Sequence, residues 1–84
     1  MKEFTDAEGR RWQASAREEP SVDYKGRYYL VLSPAEGSGE LLELPEVRWN
    51  SERTAARTIA TMSTFELRRR LRSALGRKLE APAS

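Results

Sequence analysis

Hydrophobic and polar positions along the chain change period several times, and each change marks a predicted element. Tyr28-Tyr29-Leu30-Val31-Leu32 is the only run of five consecutive apolar or aromatic residues among the 84, with Gly26 upstream and Ser33-Pro34 downstream. A short β-branched and aromatic run between turn residues is the mark of a strand with neighbours on both sides and cover on both faces. It is predicted as the central strand. Upstream, Phe4 and Trp12 flank Asp6-Ala7-Glu8-Gly9, which suits a type I turn closed by a left-handed glycine. Residues 2–5 and 10–17 are expected to pair across it. In the second arm Trp12, Ala14 and Ala16 alternate with Arg11, Gln13, Ser15 and Arg17, giving one apolar and one polar face. Glu18-Glu19-Pro20-Ser21 breaks that arm, and a loop through Asp23 leads to the central strand.

The stretch from Pro34 to Gly39 reads as a second turn, and Glu40-Leu41-Leu42-Glu43-Leu44 as a fourth strand. Pro45 has no N–H to give a ladder, so the strand is expected to stop there or lie at an edge. The period then becomes helical. Asn50 or Ser51 can cap a helix with Glu52 in its first turn and Ala55, Ala56, Ile59, Ala60 and Met62 on one face. Ser63 and Glu66 form a capping box for a second helix, with Met62 and Leu67 as its hydrophobic staple. Leu67, Leu71, Ala74 and Leu75 then share an apolar arc, and Gly76 is expected to end the helix. The predicted fold is α+β: a small antiparallel β-meander of three to four strands followed by two C-terminal α-helices packed on one face. The expected organisation is a single domain, with the meander in 1–47, the helices in 48–76 and an extended tail in 77–84.

Composition adds little to this picture, whereas charge distribution adds more. The chain is 38% hydrophobic and 33% charged, with a mean hydropathy of −0.76, enough for a compact core and no second one. The overall charge is only +2, yet residues 1–47 hold six basic and ten acidic residues while residues 48–84 hold nine and three. An acidic half precedes a basic one. Twelve of the fifteen basic residues are arginine, which suits bidentate recognition of carboxylate or phosphate and follows equally from GC-rich coding. No stretch approaches the roughly 18 apolar residues of a membrane span, and the first residues lack the apolar run of a signal peptide. A cytoplasmic location is the expectation.

Catalytic chemistry is sparse. The chain has no His and no Cys, which removes the commonest general base, metal ligand and reactive nucleophile. Glu18 and Glu19 are adjacent in a loop start, Asp23 has no obvious partner, and Gly37-Ser38-Gly39 lacks the lysine and helix of a phosphate-binding loop. No enzyme activity, cofactor, metal or small-molecule substrate is expected. Basic side chains are the stronger signal: Arg68, Arg69, Arg70, Arg72, Arg77 and Lys78 crowd the last helix, enough to neutralise several phosphates. They spread around all that the leucine stripe leaves free, and Glu66 can pair with Arg70 one turn on. Residues 51–61 and 64–75 have helix-turn-helix lengths but no glycine in the turn and no third helix. Lys25-Gly26-Arg27-Tyr28-Tyr29 puts Arg27 where an RNA-recognition motif needs an aromatic residue.

One face of the sheet remains to be explained. Tyr28, Leu30 and Leu32 point one way, Tyr29 and Val31 the other, and two helices cover only one side. Either long side chains such as Arg11, Gln13 and Arg27 lie over Tyr29 and Val31, or these residues form a partner patch. Trp12 and Trp49 are assigned to the core. The functional expectation is a non-catalytic accessory or adaptor subunit of a larger protein assembly, such as one on the soluble face of a membrane complex. Tyr29, Val31, Arg68, Arg69, Arg72, Arg77 and Lys78 are its partner-binding candidates, meeting an acidic surface or an anionic membrane face. The alternative is a small nucleic-acid-binding regulator using the same arginines.

Overall fold

The computed structural model describes residues 2–20, 26–37 and 41–80, with side chains as far as residue 77. Four strands, β1 (Lys2–Thr5), β2 (Arg11–Glu18), β3 (Tyr28–Pro34) and β4 (Leu42–Trp49), form one antiparallel sheet in the order β1-β2-β3-β4. Two helices, α1 (Glu52–Thr61) and α2 (Thr64–Glu80), follow. Alternation along β2 and β3 places Trp12, Ala14, Leu30 and Leu32 on the helical side, where Phe4, Leu42, Leu44 and Trp49 join them. Ala55 and Ile59 of α1 and Leu67, Leu71 and Ala74 of α2 close the same core. The α+β arrangement with both helices on one face is therefore as the sequence predicts, and both tryptophans lie in its core.

The β1–β2 connection shows how local chemistry sets the register. Gly9 takes a positive φ of 86° and donates its N–H to Asp6 O at 3.1 Å, a conformation that favours glycine. Asp6 Oδ1 accepts from the backbone N–H groups of Glu8 and Arg10, both at 2.9 Å, and Oδ2 accepts from Trp12 Nε1 at 3.1 Å. One carboxylate thus ties the turn to the largest core side chain. Burial raises the Asp6 pKa, but the Trp12 indole, the Arg10 and Glu8 amides and the Arg10 charge lower it more, leaving it below its ordinary value.

Two boundaries differ from expectation. β4 does not stop at Pro45 but lies at an edge of the sheet, the second of the two placements expected for that proline. Leu44 opposes Leu30 and Arg48 opposes Tyr29, so Pro45, Glu46 and Val47 form a three-residue bulge opposite a single step of β3. Pro45 sits where no ladder N–H is required, and its carbonyl accepts from Arg48 Nε at 2.7 Å. The strand resumes, and Trp49 pairs with Tyr28. The second difference is that α2 runs through Gly76 to Glu80, so residues 77–80 are helical and not an extended tail. Gly76 has no positive φ, and Arg77 Nη2 donates to Glu46 Oε2 on the bulge at 3.0 Å. That long-range ion pair joins the turn beyond the glycine to the bulge. The loop through Asp23, residues 38–40 of the second turn and residues 81–84 lie outside the described residues.

Helix ends follow the capping rules. Ser51 Oγ accepts from Thr54 N at 3.2 Å, and Asn50 instead accepts from Gly26 N at 2.9 Å. Ser63 Oγ accepts from Glu66 N at 3.0 Å, while the Glu66 carboxylate turns to Arg69 and Arg70 instead of closing the capping box. Lys2 Nζ donates to Ala60 O at 3.2 Å and Met62 O at 2.7 Å, so a cation from the first strand satisfies the last carbonyls of α1. Ala56 and Ala60, placed by spacing on the apolar face, are exposed.

Asp6→Asn keeps the shape of the side chain but sets an amide donor or a neutral acceptor against Trp12 Nε1. A loss of about 1–3 kcal/mol is expected in urea unfolding at neutral pH. The depressed Asp6 pKa stabilises the fold above the unfolded-state value near about 4 and ceases to do so as pH falls through the folded value. The thermal midpoint of Asp6→Asn should consequently fall less steeply than that of the parent chain on acidification below about pH 4.

Candidate functional site

The open face of the sheet is closed by its own polar side chains. Val31 lies between Ser15 and Glu43 in register and is only 3% exposed. Beside it, Tyr29 donates its hydroxyl to Glu43 Oε2 at 3.0 Å, and Arg17 Nη1 lies 3.6 Å from the same carboxylate oxygen. Arg48 covers the Tyr29 ring with its guanidinium 5.5 Å from the centroid. The same Arg48 Nη1 donates to Glu19 Oε1 at 2.8 Å and Gly26 O at 2.9 Å. Burial raises the Tyr29 pKa, with the Glu43 hydrogen bond and charge adding to it. Arg17, Glu43 and Arg48 gather around Tyr29, and Val31 presents almost no area to a partner.

Charge on this face cancels locally. Arg11 lies 3.9 Å from Glu3, Arg27 3.5 Å from Glu18, and Arg48 2.8 Å from Glu19. Each pair is exposed enough to be worth little to stability. Together they leave the sheet face without a strong field of either sign.

The α2 cations divide by direction. Arg68 leans onto β1, with Nε donating to Thr5 O at 2.7 Å and Nη2 to Thr5 Oγ1 at 3.2 Å. Arg69 and Arg70 share Glu66 at 2.7 and 2.9 Å. The Arg69 hydrogen bond is the main cause of a lowered Glu66 pKa, burial opposes it, and the charges of both arginines add to it. Arg77 reaches Glu46. Arg72 is exposed and makes no hydrogen bond or ion pair among the described residues. Lys78 lies within α2, with its side chain outside the described residues.

Sequence reasoning missed Phe65. It is 76% exposed, and with Arg69, Arg72 and Gly76 it follows the i, i+4, i+7, i+11 stripe of one helical face. Its sequence signal was available: a wheel drawn from Leu67, Leu71 and Ala74 puts Phe65 on the opposite side. A large aromatic side chain outside the core stripe, framed by arginines, is the most conspicuous apolar group on the described surface. The other large exposed hydrophobic residue is Leu41 at 39%.

Among the described residues no three His, Cys, Asp or Glu side chains group as a metal site, and no helix is long and apolar enough to cross a membrane. Comparison with family models, curated proteins and solved structures finds no match to the chain.

The two residues of the sheet face should respond differently to substitution. Val31→Asp places a carboxylate in a site with almost no water, and loss of the cooperative melt is expected. Tyr29→Phe removes one hydroxyl whose partner Glu43 keeps Arg17, so a loss of about 1 kcal/mol or less is expected in denaturant titration.

Proposed function

We propose that the chain is a non-catalytic accessory or adaptor protein that docks on a larger protein assembly through the outer face of α2. The observation that carries this reading is the exposed Phe65 beside Arg69 and Arg72. Aromatic and arginine side chains are the types enriched at binding hot spots, and an aromatic residue left in water by the fold gains most from a partner. Full burial of such a ring is worth about 1.5–3 kcal/mol. The basic excess of residues 48–84 favours a partner with an acidic surface, since complementary charge steers encounter and fixes orientation.

The arrangement of the arginines weakens the nucleic-acid alternative. Arg69, Arg70 and Arg77 already sit against Glu66 and Glu46, and Arg68 against Thr5. A phosphate binder needs a row of uncommitted cations along one groove. Only Arg72 on α2 meets that description among its arginines.

Phe65→Ser tests the proposal. The side chain is exposed, so the thermal midpoint should stay within about 3 °C of the parent. Affinity for the protein that co-purifies with the chain from its native host should fall about tenfold to a hundredfold in calorimetry. Co-purification of nuclease-sensitive nucleic acid in place of a stoichiometric protein, with binding that weakens steeply with salt, would reverse the assignment.

A further inference from the structure

The two helices cross the same face of the sheet in opposite directions. α1 leaves the end of β4 and finishes at β1, where Lys2 takes the carbonyls of Ala60 and Met62. α2 returns from Thr5 of β1, reached by Arg68, to Glu46 of β4, reached by Arg77. Ala55 and Ile59 turn one side of α1 into the core, and Leu67, Leu71 and Ala74 do the same for α2. At about 100° per residue, Arg53, Arg57 and Ala60 fall on the outward side of α1, and Phe65, Arg69 and Arg72 on that of α2. All six are exposed.

Ion pairing sorts the arginines by layer. In the sheet and its turns, Arg10, Arg11, Arg17, Arg27 and Arg48 each lie between 2.8 and 3.9 Å from a glutamate. On the helices, the guanidinium groups of Arg53, Arg57 and Arg72 have no partner among the described residues. Within residues 52–77 seven arginines stand against two glutamates, of which Glu66 already holds Arg69 and Arg70. The other is Glu52, in the first turn of α1. The outer side of the helical layer therefore carries a positive field.

We infer that α1 is the second half of the docking surface: Arg53 and Arg57, together with Arg72 of α2, meet a carboxylate-rich protein surface whose apolar centre receives Phe65. A lone aromatic ring among cations selects this occupant. A lipid-facing helix buries a whole apolar side, and single-stranded nucleic acid is held by successive stacking aromatics. One aromatic anchor inside a charged rim is the anatomy of a protein interface. This inference rests on the protein-binding reading of α2 and adds to it the residues of α1.

The probe is an end-blocked decaglutamate peptide titrated at low salt into the isotopically labelled full chain. Saturable amide shifts are expected on both helices, at Arg53, Arg57 and Arg72, and none along β2 or β3. Arg53→Glu and Arg57→Glu should each weaken binding about threefold and together about tenfold, with thermal midpoints within about 3 °C of the parent because both side chains are exposed. Arg11→Glu makes the same change of net charge in the sheet and should leave binding almost unchanged. Shifts confined to α2, absence of saturable binding at millimolar peptide, or equal losses in Arg11→Glu and Arg57→Glu would each overturn the inference. Tighter binding of decathymidylate or of phosphatidylglycerol vesicles than of decaglutamate at the same salt would replace the protein surface with nucleic acid or membrane. A co-purified partner lost with Phe65→Ser but held normally by the Arg53→Glu, Arg57→Glu double variant removes α1 from the interface and leaves the adaptor reading standing. A partner held normally by both variants removes the adaptor reading itself.

Discussion

The fold depends on an odd number of extra residues in β4. Side chains alternate along a strand, so an uninterrupted β4 with Leu42 and Leu44 facing the helices would turn Glu46 and Arg48 inward and Trp49 outward. The three-residue bulge at Pro45, Glu46 and Val47 reverses that parity. Trp49 enters the core, and Arg48 emerges on the opposite face. The bulge also puts Glu46 within reach of Arg77 and the Pro45 carbonyl within reach of Arg48. One irregularity therefore links the core, the last turns of α2 and the cover of the open face.

Arg48 is the residue through which these effects meet. Its guanidinium touches the bulge, the carboxylate of Glu19 after β2, the carbonyl of Gly26 before β3 and the ring of Tyr29. A planar fork with several donors suits this task better than a lysine ammonium. With Arg17 and Glu43 it forms a polar cluster around Tyr29, beside Val31. The charges in that cluster are paired among the described residues.

The groups on which the proposed docking rests lie on the helical side. Most α2 arginines serve the fold: Arg68 fastens the helix to β1, Arg70 pairs with Glu66, and Arg77 joins the bulge. On α2, among the described residues, Phe65 and Arg72 are left exposed with no hydrogen bond or ion pair. Both lie on one helical face. A rigid helix backed by the sheet can present such a surface without reorganisation on binding, which lowers the cost of association.

Elements whose cause is local were legible in the sequence. The period-two pattern of β2, the continuous apolar run of β3, the Asp6–Gly9 turn, the Ser51 and Ser63 caps and the leucine stripe of α2 each depend on neighbours within a few residues, and they specify an antiparallel sheet followed by two helices. The arginine-rich helix was legible for the same reason, as was the lack of His and Cys chemistry. Features set by residues far apart in the chain were decided only by tertiary structure. Pro45 reads as a strand end or an edge position, and the edge wins because Tyr28 and Tyr29 supply partners for Trp49 and Arg48 beyond it. Gly76 reads as a helix stop, yet α2 continues past it and brings Arg77 to Glu46, 31 positions away. Val31 reads either as covered or as a partner patch, and its burial emerges only in the assembled sheet. Propensity and periodicity report what a residue prefers, whereas long-range pairing decides whether that preference is met, and cross-strand register is not written in any single stretch of the chain.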